Sequence, residues 1–180
     1  AAVLAQQGEK LSFLIQTLVK ASRLETGIFA MDPQVHGVQR LLDAVLIQGR
    51  QKARERGLSL TAEPTFAQAR FDEKWTAEAL YNLVDNALKY TPQGGKVALS
   101  VREFELFCAI QVEDNGPGIP EGEQGAIFGR FYRGEAVRDQ EGLGIGLYLA
   151  REVVTREGGY IRLNSSPGQG SRFSLYLPKE

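Results

Sequence analysis

Two asparagines and a lysine at helical spacing form the first group of residues with a chemical function to explain. Asn82, Asn86 and Lys89 stand at positions i, i+4 and i+7, so on a helix they share one face. Asparagine is a poor helix former because its side chain competes for backbone groups. An amide oxygen can coordinate Mg²⁺, and a lysine can compensate phosphate charge. The pattern indicates a phosphate and cation face, although a solvated helix face would show the same residues.

A glycine-rich loop, Asp114-Asn115-Gly116-Pro117-Gly118-Ile119-Pro120, directly follows a predicted strand. Its glycines let the backbone approach a ligand closely. An ionised Asp114 accepts hydrogen bonds and cannot donate them. Adenine presents an amino group where guanine presents a carbonyl oxygen, so this carboxylate would select adenine, with Ile119 as an apolar wall beside the base. A tight turn that holds Asp-Asn-Gly for structural reasons alone is also common.

A second glycine cluster, Gly142-Leu143-Gly144-Ile145-Gly146-Leu147, opens a predicted helix. The free amides and the dipole at a helix N-terminus favour a bound anion. No Gly-Lys-Ser/Thr follows, so this is not a Walker loop. The cluster does not follow a strand within a βαβ unit either, which argues against a dinucleotide fold.

Hydrophobic periodicity predicts the elements that must position these motifs. The predicted fold is α/β with a mixed, largely antiparallel sheet. The predicted helices cover residues 3–26, 38–56, 73–90 and 145–157, and residues 28–36 form a linker. The predicted strands cover residues 58–62, 68–71, 97–101, 107–112, 160–164 and 171–177. The stretch 115–144 is too long for an ordinary connection.

The composition is that of an ordinary soluble globular protein of 180 residues with a formal net charge of -1. Near-neutrality argues against a nucleic-acid partner, and the basic helix end Arg50, Lys52, Arg54 and Arg56 suits the local dipole and solvent. A single cysteine, Cys108, excludes an internal disulfide and suits a reducing compartment. The first residues lack a methionine and a basic segment, so we expect an internal cut in a longer chain rather than a signal peptide.

Taken together and in this order, the motifs resemble the catalytic and ATP-binding domain of sensor histidine kinases. That domain belongs to a superfamily that includes gyrase, the Hsp90 chaperones and MutL. The matching stretches are Asn82 to Thr91 (the N box), Asp114 to Pro120 (the first glycine box), Ile127 to Arg133 (the F box), Gly142 to Leu147 (the second glycine box) and Gly168 to Phe173. Residues 1–27 resemble the second helix of the dimerisation and phosphoacceptor hairpin, and residues 37–180 the ATP-binding domain.

The resemblance implies a two-layer sandwich, with a five-stranded sheet covered by about three helices, and a role for each matched residue. Asn86 would ligate Mg²⁺ with support from Asn82, and Lys89 and Tyr90 would contact phosphates. Asp114 would take the adenine amino group. The remaining residues of the implied ATP pocket are Gly116, Gly118, Ile119, Phe131, Gly142, Leu143, Gly144, Ile145, Gly146 and Leu147. Phe128 and Phe131 would anchor a lid between Asn115 and Gly144, and Arg133 would reach the terminal phosphate.

One position separates the branches of this superfamily. Its ATP hydrolases place a glutamate base one turn before the Mg²⁺ asparagine, where this chain has Asn82, which cannot accept a proton at neutral pH. The chain is therefore expected to be the ATP-dependent phosphotransferase half of a protein-histidine kinase. The alternatives are an ATPase module like those of gyrase, Hsp90 or MutL, and a nucleotide-free interaction domain with the same fold.

The resemblance also implies partners outside the chain. The acceptor histidine is expected before Ala1, because the single histidine, His36, lies at the predicted junction between the linker and a helix. Besides ATP and Mg²⁺, the partners would be the phosphoacceptor helix, in cis or in a homodimer, and the receiver domain of a response regulator. The fragment is expected to be soluble and cytoplasmic, and its parent membrane-anchored.

Overall fold

The computed structural model describes residues 30–132, 134 and 144–180, and eight positions before residue 30 (8, 11, 12, 15, 16, 18, 19 and 22). Those eight positions are all helical and exposed, as the predicted helix over residues 3–26 requires. Arg133, Gly142 and Leu143, which were assigned to the nucleotide site by resemblance, lie outside the described residues.

The predicted elements are found in the predicted order with small shifts at their ends, and a short strand and a one-turn helix that were not predicted are added to them. The helices are α1 (Val38–Glu55), α2 (Glu73–Tyr90), α3 (Glu121–Gln124) and α4 (Gly146–Arg156). The strands are β1 (Gln34–Gly37), β2 (Ser59–Ala62), β3 (Gln68–Phe71), β4 (Lys96–Glu103), β5 (Phe107–Asp114), β6 (Tyr160–Ser165) and β7 (Ser171–Pro178).

Five of the strands form a mixed sheet in the order β2-β4-β5-β7-β6, in which only β2 and β4 run parallel. The two faces of the sheet differ in solvent exposure, as β4 shows: Val97 and Leu99 on one face are fully buried, and Lys96 and Ala98 on the other are exposed. The buried face packs against the long helices in one hydrophobic core. The predicted α/β sandwich with a mixed, largely antiparallel five-stranded sheet is confirmed.

The predicted linker is wrong in its last three residues. Gln34–Gly37 form β1, which pairs antiparallel with β3 in a separate two-stranded sheet and places His36 opposite Ala69. The pairing partner lies more than thirty residues away along the chain. The periodicity of a four-residue segment could not reveal such a partner, because a short strand is fixed by its neighbour rather than by its own pattern.

Helix α2 carries the predicted polar face, and its ends are well defined. Asp72 caps it by accepting hydrogen bonds from the amides of Lys74 (3.0 Å) and Trp75 (2.9 Å). The helix ends at Tyr90, before Pro92. Its apolar side is buried (Leu80, Leu83, Val84, Ala87 and Leu88). The half-buried polar side is therefore held in one orientation by the core behind it.

A buried carboxylate ties the end of α4 to the start of α2. Glu157 is 2% exposed. It accepts hydrogen bonds from the Asp72 amide (2.8 Å) and the Thr76 hydroxyl (2.7 Å). Burial raises the pKa of Glu157 to about 7, although these two bonds and Arg70 oppose the shift. The contact fixes how α2 and α4, which carry motifs of the candidate site, meet at this end.

Stability should therefore depend on pH through Glu157. Because the pKa is higher in the folded protein than in the unfolded chain, the unfolded chain ionises first as the pH rises. The stability gained from protonated Glu157 is full below about pH 4.5 and is lost between there and about pH 7, by about 3 kcal/mol at most. Glu157→Gln should show a smaller loss of unfolding free energy from pH 5 to pH 8 than the native protein. Glu121 is exposed and provides the control, so Glu121→Gln should lose as much unfolding free energy over this pH range as the native protein. Equal losses in the native protein and in both variants would contradict the role of Glu157.

Candidate functional site

The end of the second glycine cluster lies against the polar face of α2. A Cβ atom added at Gly146, the first residue of α4, would stand 3.7 Å from both Cγ and Oδ1 of Asn82. Asn82 and Asn86 are each half-buried. Two motifs that are 60 residues apart in the sequence are thus brought together at one side of the site.

The first glycine loop meets the C-terminal end of the same helix. A Cβ atom added at Gly116 would lie 3.5 Å from Thr91 Oγ1 and 2.8 Å from Asp114 Oδ1, so a side chain at Gly116 has no room. The Gly116 amide donates a hydrogen bond to Asp114 Oδ1 (2.8 Å). Thr91 follows Asn82 by nine positions, which corresponds to about 13.5 Å along the helix axis. The polar face of α2 therefore runs from Asp114 to the second glycine cluster.

Asp114 is a half-buried carboxylate at the end of β5. Burial raises the pKa of Asp114, and backbone hydrogen bonds from Gly116 and Ser171 oppose the shift. A carboxylate that has lost part of its hydration gains from a further donor, such as an exocyclic amino group. The role of Asp114 in binding an adenine amino group stays a prediction.

Thr91 adds a polar atom that sequence reasoning did not assign to the site. Its side chain is fully buried, and Oγ1 has no hydrogen-bond partner among the described residues. A buried hydroxyl without a partner costs about 1–3 kcal/mol. Its proximity to Gly116 and Asp114 suits a buried water that would bridge the hydroxyl to neighbouring polar groups. Only the folded structure could reveal it, because a threonine after a helix is ordinary in sequence.

The first glycine loop is seated on the β6–β7 turn by close backbone contacts. A Cβ atom added at Gly118, whose φ is 72°, would lie 2.0 Å from the Ser166 carbonyl oxygen. The Ile119 amide donates to Ser165 Oγ (2.9 Å), and the Gly168 amide donates to the Pro117 carbonyl (2.7 Å). These contacts explain why glycines are needed here, and they fix the loop next to Asp114.

The base of the predicted lid is only partly packed. Phe128 meets Phe173 edge to face at 6.2 Å between ring centroids, whereas Phe131 is 55% exposed and has a φ of 58°. A Cβ atom added at Gly144 would lie 2.4 Å from the Tyr132 carbonyl oxygen, so the two sides of the lid approach each other closely. Positive φ in a phenylalanine costs about 1–2 kcal/mol, which the surrounding structure must offset.

The other residues that the resemblance assigns to the ATP pocket differ in their burial. Lys89 Nζ lies 5.3 Å from the centre of the Tyr90 ring, and both side chains are half-buried on the polar side of α2. Leu147 and Ile119 are half-buried, whereas Ile145 is 2% exposed and belongs to the hydrophobic core. Ile145 therefore packs in the hydrophobic core beneath the site rather than at its surface.

The chemistry of the site fits a magnesium nucleotide. No group of three His, Cys, Asp or Glu side chains that could hold a metal occurs among the described residues. The amide oxygen of Asn86 is of the kind that Mg²⁺ accepts, and it would hold this ion together with oxygens of the nucleotide itself. Lys89 supplies positive charge one turn away.

Comparison with known proteins decides the family. Residues 71–180 match the family described as histidine kinase-, DNA gyrase B- and HSP90-like ATPases. The chain belongs to this family. This ATPase domain contains the whole of α2 and both glycine motifs.

Relatives of the ATPase domain are sensor kinases. The chain is 30% identical over 183 residues to the sensor protein SrrB of Staphylococcus aureus, which covers 99% of this chain and 31% of SrrB. The structure of full-length ShkA in complex with AMPPNP shares the fold, with a TM-score of 0.85, 24% identity and coverage of 98% of this chain and 37% of ShkA. The histidine kinase ThkA in complex with the response regulator protein TrrA gives a TM-score of 0.77, 22% identity and coverage of 96% and 49%.

The ATPase domain is thus an ATP-binding catalytic domain of the kind that sensor histidine kinases contain. The chain spans about a third of the SrrB sequence. In the part of the chain that the structure describes, no helix combines the length and the hydrophobicity needed to cross a bilayer.

Proposed function

We propose that the chain binds Mg-ATP and transfers the γ-phosphoryl group to a histidine on a helix of the same parent protein, in cis or in a homodimer. The observation that carries the proposal is the contact of α2 with both glycine motifs, with Gly116 next to Thr91 at the C-terminal end of the helix and Gly146 beside Asn82 in its middle. The base would lie at Asp114 and Thr91, and the phosphates would lie along Asn82, Asn86 and Lys89.

Transfer is favoured over hydrolysis because Asn82 stands where a water-activating base would be needed. An amide cannot take a proton from water at neutral pH, so the γ-phosphoryl group waits for a better nucleophile. In the transfer, a histidine ring nitrogen forms a bond to the γ-phosphorus while the bond to the β–γ bridging oxygen breaks, and ADP leaves. Such reactions depend mainly on positioning and on charge stabilisation.

The chain's own residues would orient the substrate. Asp114 fixes the adenine, and Lys89 places a positive charge beside the phosphates. Bound Mg²⁺ would neutralise phosphate charge, with Asn86 as its protein ligand. The second glycine cluster would place backbone amides of the start of α4 toward an anion.

The N-terminal residues would provide the hairpin surface of the parent protein. At described helical positions, Leu11, Ile15 and Leu18 are 58%, 53% and 43% exposed. Apolar side chains at this spacing form a seam that another helix can cover. This supports the assignment of residues 1–27 to the second hairpin helix of a dimeric, membrane-anchored parent that works at the cytoplasmic ATP pool.

A response regulator is the proposed acceptor of the phosphoryl group after the histidine. The ThkA structure contains the response regulator protein TrrA. The fold shared with ThkA supports a receiver domain as the partner class of the parent protein.

The proposal is tested by nucleotide binding and by labelling. Titration calorimetry should show that the 180-residue chain binds ATP in the presence of Mg²⁺ and prefers it to GTP. With radioactive ATP labelled at the γ-position, the chain should not label itself. A chain extended upstream through the first hairpin helix should acquire an acid-labile, alkali-stable label, as phosphohistidine does. Absence of ATP binding would leave only a nucleotide-free interaction domain, and rapid ATP hydrolysis by the chain would favour an ATPase module.

A further inference from the structure

An ion pair joins α1 to the helix that carries the candidate phosphate face. Lys52, on α1, contacts Asp85, on α2, through Nζ and Oδ1. The two side chains are 37% and 35% exposed, so the pair is only partly hydrated. The Tyr81 hydroxyl contacts the same carboxylate. Burial raises the pKa of Tyr81 and Asp85 raises it further, so the hydroxyl remains a donor. Asp85 is thus held from two sides.

Asp85 lies so close to the proposed phosphate face that its negative charge, if it were not neutralised, would act on the phosphates of a bound nucleotide. It directly precedes Asn86, and it lies four residues before Lys89 on the same helix. Side chains at i and i+4 have Cβ atoms about 5–6 Å apart, and an acid four residues before a lysine is the favourable orientation for a helical ion pair. A carboxylate released from Lys52 would compete for Lys89 and would repel a triphosphate.

We propose that Lys52 is a positioning residue for nucleotide binding, which holds Asp85 on the α1 side of α2 and cancels its charge. Lys52 touches no substrate and acts through Asp85. The phosphate face then keeps the positive charge of Lys89. This inference rests on the proposed function, because it requires phosphates beside Asn86 and Lys89.

The expected effect depends on the charge of the ligand. Without Lys52, the negative charge of Asp85 is no longer neutralised. Such a unit charge within a Debye length of the phosphates, about 10 Å, lowers the affinity for ATP by about two- to tenfold. Adenosine has no phosphate, so its affinity should not change. If the ion pair had only a structural role, its loss would weaken the binding of ATP and of adenosine by the same factor.

The test is titration calorimetry of the 180-residue chain with ATP and with adenosine, at low and at high salt. Lys52→Met should raise the Kd for ATP about two- to tenfold at low salt and less at high salt, without changing the Kd for adenosine. Asp85→Asn in the same chain should restore ATP binding, and Lys52→Arg should keep it. The control Arg54→Met removes a charge from the exposed side of the same helix and should leave the ATP affinity within twofold of the native value.

Two outcomes would overturn the inference while the proposed function stands: native ATP affinity in Lys52→Met, or an equal loss for ATP and adenosine. If Lys52→Met does not fold, Asp85→Asn alone decides, because its ATP affinity should be equal to or higher than the native one and a loss would contradict the proposal. If the native chain binds no ATP, the proposed function fails first and this inference fails with it.

Discussion

Replacing Asp114 by alanine should weaken ATP binding about ten- to a hundredfold. A hydrogen bond to an ionised group is worth about 1.5–3 kcal/mol, which corresponds to that range of Kd. Asp114 is half-buried at the end of β5, so water replaces the lost contact poorly. The Kd for ATP and for GTP, measured by calorimetry on each variant, gives the change directly.

A second substitution at the same position, Asp114→Asn, should also remove the preference for adenine. In Asp114→Asn the side-chain amide can donate to the carbonyl oxygen of guanine, so the affinity for GTP should rise relative to that for ATP. The neighbouring Glu113 provides the control, because it is an exposed carboxylate on the same strand that pairs with Arg172 (2.7 Å). Glu113→Ala should bind ATP as the native chain does. If Asp114→Ala and Glu113→Ala behave alike, the base does not lie at Asp114.

Local signals were sufficient to predict most of the long elements. Helix α2 was predicted over residues 73–90, because a capping aspartate, a heptad-like apolar side and a proline after its end all mark the same segment. The hairpin of β4 and β5 follows from alternating apolar residues in the same way. Cys108, which lies among apolar residues of β5, is fully buried.

What the sequence could not predict depends on neighbours that are distant along the chain. Strand β1 exists because β3 pairs with it. Lys52 resembles a solvated base at a helix end until the fold brings it to Asp85. Thr91 becomes a candidate contact for a buried water only when the fold places its hydroxyl next to Gly116. In each case the residue type is ordinary, and its meaning comes from a tertiary contact.

The glycine-rich turn before β7 makes such a tertiary contact, and a substitution in it is expected to have a large effect on stability. Gly170 has a φ of 80°, and a Cβ atom added to it would lie 2.0 Å from the Asp114 carbonyl oxygen and 2.9 Å from Asn115 Cα. An alanine there must therefore push the backbone of Asp114 away, besides adopting a left-handed conformation. The closest atom is backbone, so no side-chain rotation can relieve the contact.

Gly170→Ala should therefore destabilise the fold by about 2–5 kcal/mol, of which the left-handed backbone accounts for about 1–2 kcal/mol and the contact for the rest. Gly168 is the matched control: it lies two residues earlier, its φ is 77°, and nothing stands within 4 Å of an added Cβ. Gly168→Ala should show only the backbone contribution in urea unfolding and should keep native ATP affinity. Gly170→Ala should lose ATP affinity even where it is still folded, because Asp114 moves with its carbonyl. Equal stabilities for the two variants would mean that the close approach to Asp114 does not hold the site together.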